Sequence, residues 1–120
     1  IAVLNRIKPP YNVNELTQQK ALQMIQNTDL LEKQVAEILT ERDLMMQQLK
    51  KINFIKDIYP TDANFILVKV DDADKRYREI LKSGVVVRNR STQPLCNNTL
   101  RFTVGTPVEN RKLLNVLNSL

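Results

Sequence analysis

Apolar positions recur along most of this chain at helical spacing, and near its end they recur at strand spacing. An apolar segment (Ile1, Val3, Leu4, Ile7) runs into Lys8-Pro9-Pro10-Tyr11-Asn12-Val13. Paired prolines forbid a continuing helix, so this stretch is expected to link or cross between two bodies of structure. Asn12 or Asn14 can cap a helix over 15–27, whose Leu16, Ala21, Leu22 and Ile25 give a partial apolar face. Thr28-Asp29 opens a second helix, with Glu32 placed for a capping box. Its stripe is Leu31, Val35, Ile38, Arg42, Met45, Leu49 and Ile52, in alternating steps of four and three, and only Arg42 breaks the apolar set. A helix over 29–52 would span about 36 Å. It suits either a coiled-coil seam or a long helix laid across a larger body.

Beyond it the pattern shortens. Phe54–Tyr59 is a short possible strand, Pro60–Asn64 breaks it, and Phe65–Val70 is a mostly apolar run expected to lie centrally in a sheet. Asp71 or Asp72 caps a helix reaching about Ser83, and Gly84 ends it. A strand is predicted over Val85–Arg88, a polar loop over Asn89–Thr99 and a second strand over Leu100–Val104. Thr106, Pro107 and Glu109 then form a strong helix start, and Leu113, Val116, Leu117 and Leu120 share one face of the last helix. The predicted class is α+β: a small mostly antiparallel or mixed sheet covered by helices and preceded by a long helix. Residues 1–53 are expected to be linker and interdomain helices, and 54–120 an α+β small domain.

The two late strands carry the candidate chemistry. Leu100, Phe102 and Val104 alternate with Arg101 and Thr103, while Val85 and Val87 alternate with Val86 and Arg88. If both apolar faces meet one core, Arg88 and Arg101 emerge on the same side of the sheet. Two such guanidinium forks suit an anionic ligand, since each can hold a carboxylate or phosphate bidentately.

Composition narrows the rest. The chain has 120 residues, 42% of them hydrophobic, which is enough for one modest core. Aromatic residues are 5%, so aliphatic side chains must fill the interior. No run is long enough to cross a membrane, and the opening Ile-Ala-Val-Leu-Asn-Arg-Ile-Lys is no signal peptide. A start on Ile1 in mid-pattern suggests a piece of something longer. Cys96 is the only cysteine, which forbids an internal disulfide and fits a reducing cytoplasm. With no histidine, a catalytic thiol lacks its usual base and a zinc site lacks ligands. The net charge of +5 permits nucleic acid as a partner, but the basic residues are spread along the chain.

Four stretches in this order carry a resemblance: Ile7-Lys8-Pro9-Pro10-Tyr11-Asn12-Val13-Asn14, Pro60–Val68, Gly84–Arg88, and Leu100-Arg101-Phe102-Thr103-Val104-Gly105-Thr106-Pro107. Together with the 13-residue spacing of Arg88 and Arg101, the chain resembles the C-terminal portion of the histidinol-phosphate aminotransferases, pyridoxal-phosphate enzymes of fold type I. The resemblance implies amino transfer between L-histidinol phosphate and 2-oxoglutarate in histidine biosynthesis, in a cytoplasmic homodimer. It implies that Arg101 holds the substrate's carboxylate or phosphate and that Arg88 is directed at the substrate phosphate. Arg90 is expected to be a solvated loop residue, and Tyr11 and Asn12 to mark the crossing between domains. The family's cofactor lysine lies upstream of the matched region, so no catalytic or cofactor-binding residue is assigned here. Pyridoxal 5′-phosphate is expected to be bound mainly by a missing large domain. The piece alone is expected not to transaminate, and it can self-associate through faces that domain would cover. Competing readings are a related aminotransferase with another amino donor, a non-enzymatic anion-binding or dimerisation module built on helix 29–52, and a basic nucleic-acid-binding domain.

Overall fold

The computed structural model describes residues 13–120, so the proline-rich stretch and the expectations for Tyr11 and Asn12 lie outside the described residues. The chain divides into two compact units, one ending at Gln34 and the other running Val35–Leu120. In order, the elements are α1 (Glu15–Ile25), α2 (Thr28–Leu49), β1 (Ile55–Ile58), β2 (Phe65–Val70), α3 (Ala73–Lys82), β3 (Arg88–Asn89), β4 (Thr99–Thr103) and α4 (Pro107–Asn118). The class is α+β, as the pattern predicts.

Asn14 caps α1, its side chain accepting from the Thr17 N–H at 2.9 Å. No residue of α1 is buried, so its partial apolar face stays exposed. The start of α2 differs from expectation. Asn27, not Asp29, is the cap: its Oδ1 accepts from the Leu30 N–H at 3.2 Å, and the helix begins at Thr28. An asparagine placed one residue before the helix offers its side-chain oxygen to the orphan donors of the first turn, which Asp29, already inside the helix, cannot do.

The second unit is built on a four-stranded antiparallel sheet in the order β1-β2-β4-β3. β2 and β4 are interior, which explains why they hold the best-buried apolar residues. One sheet face presents Ile66, Val68, Val70, Leu100 and Phe102 to Met45 and Leu49 of α2, Ala73 and Ile80 of α3, and Leu113 and Leu117 of α4. Burying Met45, Leu49 and then Ile52 uses up the C-terminal half of the α2 stripe on this core, so that half is not available as a coiled-coil seam. Arg42, the odd member of the stripe, donates from Nη1 to the Ala63 carbonyl at 3.2 Å and so ties α2 to the β1–β2 turn.

The strand expected over Val85–Arg88 is shorter: only Arg88 and Asn89 join the ladder. α3 ends in a double cap. The Gly84 N–H donates to the Leu81 carbonyl at 3.0 Å and the Val85 N–H to the Ile80 carbonyl at 3.3 Å, with Gly84 at φ 75°. That Schellman arrangement commits the Val85 N–H to the helix. Val87 then packs into the core while Val86 points to solvent, and pairing starts at Arg88.

Candidate anion-binding face

The antiparallel register places Arg88 directly opposite Arg101, and Arg101 in turn directly opposite Leu67 of β2. Cross-strand partners project to the same face with Cβ atoms about 5 Å apart. Both arginines therefore stand together on the face turned away from the core, as strand alternation predicts. That face also carries Phe65, Leu67 and Lys69 of β2 and Thr103 of β4, none of them fully buried. Like charges directly opposite destabilise a sheet. No carboxylate relieves this pair: among the described residues both side-chain ion pairs belong to Arg76, with Asp71 and Glu79. An uncompensated pair of guanidinium forks on a rigid ladder is an electrostatic demand for an anion.

The two arginines are held differently. Arg88 is exposed at the sheet edge. Arg101 is half-buried; its Cζ lies 5.0 Å from the centroid of the Phe65 ring, and its Nε is buried without a hydrogen-bond partner. Arg90 lies in the loop just past β3, as expected, but is less solvated than expected. It is half-buried, and its N–H donates to the Thr99 carbonyl at 3.0 Å, continuing the β3–β4 ladder by one bond. The reason is register: the residue two beyond Arg88 meets Thr99 before the chain turns, with the Gln93 N–H bonded to the Arg90 carbonyl at 2.9 Å. Lys69 is exposed and cross-strand from Asp57.

Two cavities of about 340 and 280 Å³ lie elsewhere: the first between Val85–Val87, Gly105 and Asn110, the second between Phe54, Arg76 and Leu117. Neither contains Arg88 or Arg101, which stand on an open face. Sequence reasoning missed Phe65 as part of this face. The signal was available in the alternation of Phe65, Leu67 and Lys69 against Ile66, Val68 and Val70, but the ring's neighbour depends on the β2–β4 register.

The model of the family described as "Aminotransferase class I and II" matches residues 1–117. The chain belongs to the class I and II aminotransferases. Among curated relatives of this aminotransferase chain, histidinol-phosphate aminotransferase of Flavobacterium johnsoniae is 52% identical over 120 residues, covering 100% of this chain and 34% of the relative. The same enzyme of Parabacteroides distasonis is 49% identical, covering 100% and 35%. The crystal structure of the histidinol-phosphate aminotransferase from Clostridium acetobutylicum superposes with a TM-score of 0.82 at 27% identity, over 98% of this chain and 36% of that one. The chain thus spans about a third of the length of the aminotransferases it matches. Among the described residues no helix is long and apolar enough to cross a membrane.

Proposed function

We propose that this chain is the C-terminal part of a histidinol-phosphate aminotransferase, which transfers an amino group between L-histidinol phosphate and 2-oxoglutarate. In this reading Arg101 grips the anionic group of whichever substrate is bound, the phosphate of one or a carboxylate of the other, and Arg88 reaches the phosphate of the phosphorylated one. The observation that carries it is the cross-strand pairing of Arg88 with Arg101, with no carboxylate to neutralise either. One site must accept a phosphate ester in one half-reaction and a dicarboxylate in the other, and guanidinium forks serve both. The relatives at about 50% identity support the same donor. Residues 1–53 would be the linker and interdomain helices, and 54–120 the small domain of a cytoplasmic homodimer.

Pyridoxal 5′-phosphate would supply the electron sink for amino transfer. The donors on the open face fit substrate anions rather than the cofactor, because the lysine on that face, Lys69, is exposed and stands opposite Asp57. We therefore assign cofactor anchoring to the two-thirds of the parent enzyme that this chain does not span, and assign no catalytic role to the described residues.

In the full-length enzyme, Arg101→Gln should raise KM about tenfold or more for both substrates, since a hydrogen bond to a charged group is worth about 1.5–3 kcal/mol. Arg88→Gln should raise KM for the phosphorylated donor far more than for 2-oxoglutarate. Steady-state kinetics with each substrate varied in turn decides it, and equal losses at Arg88 would remove its assigned role in favour of an aminotransferase with another donor.

A further inference from the structure

Arg101 needs to be held still without being neutralised, and the open face offers one group able to do that. The Phe65 ring sits diagonally across the β2–β4 ladder, since Phe65 pairs with Thr103 and Leu67 with Arg101. The guanidinium carbon lies 5.0 Å from the ring centroid, inside the range of a cation–π contact. We propose that Phe65 is a positioning residue for Arg101, its ring fixing the guanidinium for an incoming anion while consuming none of its hydrogen bonds. This inference rests on the assignment of Arg101 as the substrate-anion residue.

Arg76 supplies an internal contrast. It too lies over a ring, 4.3 Å from the Phe54 centroid, but it also donates to Asp71 at 2.7 Å and to Glu79 at 3.0 Å. Its charge is spent inside the fold. Arg101 has the ring without the carboxylates. Its Nε edge is buried without a partner, which leaves the two terminal nitrogens as the edge for a bidentate anion. A carboxylate in place of Phe65 would orient the side chain equally well but would compete with the ligand. A ring holds it through the π-face, whose attraction does not use the N–H donors. A pre-oriented fork also loses less side-chain entropy when the anion arrives. Arg88, exposed at the sheet edge, remains free to follow a ligand of variable length. The face thus pairs one fixed fork with one adaptable one.

The test uses the full-length holoenzyme with succinate as a non-reacting dicarboxylate and inorganic phosphate as the second probe. Phe65→Leu, which removes the ring but keeps apolar bulk at a half-buried site, should weaken succinate about three- to tenfold. KM for 2-oxoglutarate should rise to match, with kcat within about twofold. Phe65→Tyr keeps the ring and should restore wild-type binding. In an Arg101→Gln background, Phe65→Leu should cost nothing more. Unchanged succinate and phosphate binding in Phe65→Leu, alongside a large loss in Arg101→Gln, overturns the positioning role and leaves the assignment of Arg101 intact. An equal loss from Phe65→Leu in both backgrounds also overturns it. No loss in Arg101→Gln itself overturns the assignment beneath it.

Discussion

Arg76 lies over the Phe54 ring and donates two hydrogen bonds to Asp71, Nε to Oδ1 at 3.0 Å and Nη2 to Oδ2 at 2.7 Å. This bidentate contact, more than any other, holds the Asp71 carboxyl down at about 2, and the same pair raises the Arg76 guanidinium above its ordinary value. The sign of the consequence follows from linkage. Asp71 is more acidic folded than unfolded, where about 3.9 is normal. Its contribution is therefore fully present above about pH 4 and is lost as pH falls through 2. With 35% of the side chain exposed, solvent screening holds that contribution to about 1 kcal/mol. Asp71→Asn should accordingly lower stability by about that amount at pH 6, and the difference from wild type should shrink as urea unfolding is repeated toward pH 2. A difference constant over that range would mean the ion pair adds nothing to stability.

At the scale of the element, caps decide where helices begin and end. α4 starts in a full capping box: the Thr106 side chain accepts from the Glu109 N–H, and the Glu109 carboxylate accepts from the Thr106 N–H at 2.8 Å. Those bonds from Thr106 hold the Glu109 carboxyl below its usual range. A Cβ at position 105 would sit 2.8 Å from Glu109 Oε2, so a side chain there would push that carboxylate away from its place in the box. Thr106→Ala should destabilise by about 1 kcal/mol, measured by thermal or urea unfolding, since it strips the cap from orphan N–H groups. Thr106→Ser keeps the hydroxyl and should remain close to wild type. The same logic explains the short β3. A Schellman cap takes the Val85 N–H, so the helix end sets where the strand starts, and that places Arg88 opposite Arg101.

For the molecule as a whole, one sheet divides two tasks. Its inner face builds the core, with Ile66, Val68, Leu100 and Phe102 all fully buried. Its outer face sets Arg88, Arg101 and Lys69 beside Phe65 and Leu67. The helices are tied to that frame by a polar hub at Asn110, itself only 3% exposed. The Asn110 amide donates to Glu41 of α2 at 2.7 Å and to the Gly105 carbonyl at 3.0 Å, and its oxygen accepts from the Gly105 N–H at 2.9 Å. Asn110→Leu should cost about 1–2 kcal/mol in urea unfolding, because it leaves half-buried partners without hydrogen bonds. A loss below half a kcal/mol would show that water replaces the amide and that the hub is dispensable.

The sequence by itself determined whatever depends on near neighbours. Alternation over 100–104 put Leu100 and Phe102 on the core side and Arg101 on the other, and the run of Thr106, Pro107 and Glu109 announced α4 with its cap. These are local rules, since a side chain's direction and a cap's hydrogen bonds are set within four residues. The family was legible for a related reason: its motifs are contiguous stretches of chain. Tertiary structure decided what depends on register and competition. Asn27 outbid Asp29 as a cap, Val85 went to a helix end rather than a strand, and the Arg90 N–H bonded across to Thr99. The ring beneath Arg101 was likewise out of reach, because Phe65 lies 36 residues earlier in the chain and meets the guanidinium only once β2 and β4 have paired. Long-range pairing is fixed by the packing of the whole core, which no local window of sequence contains.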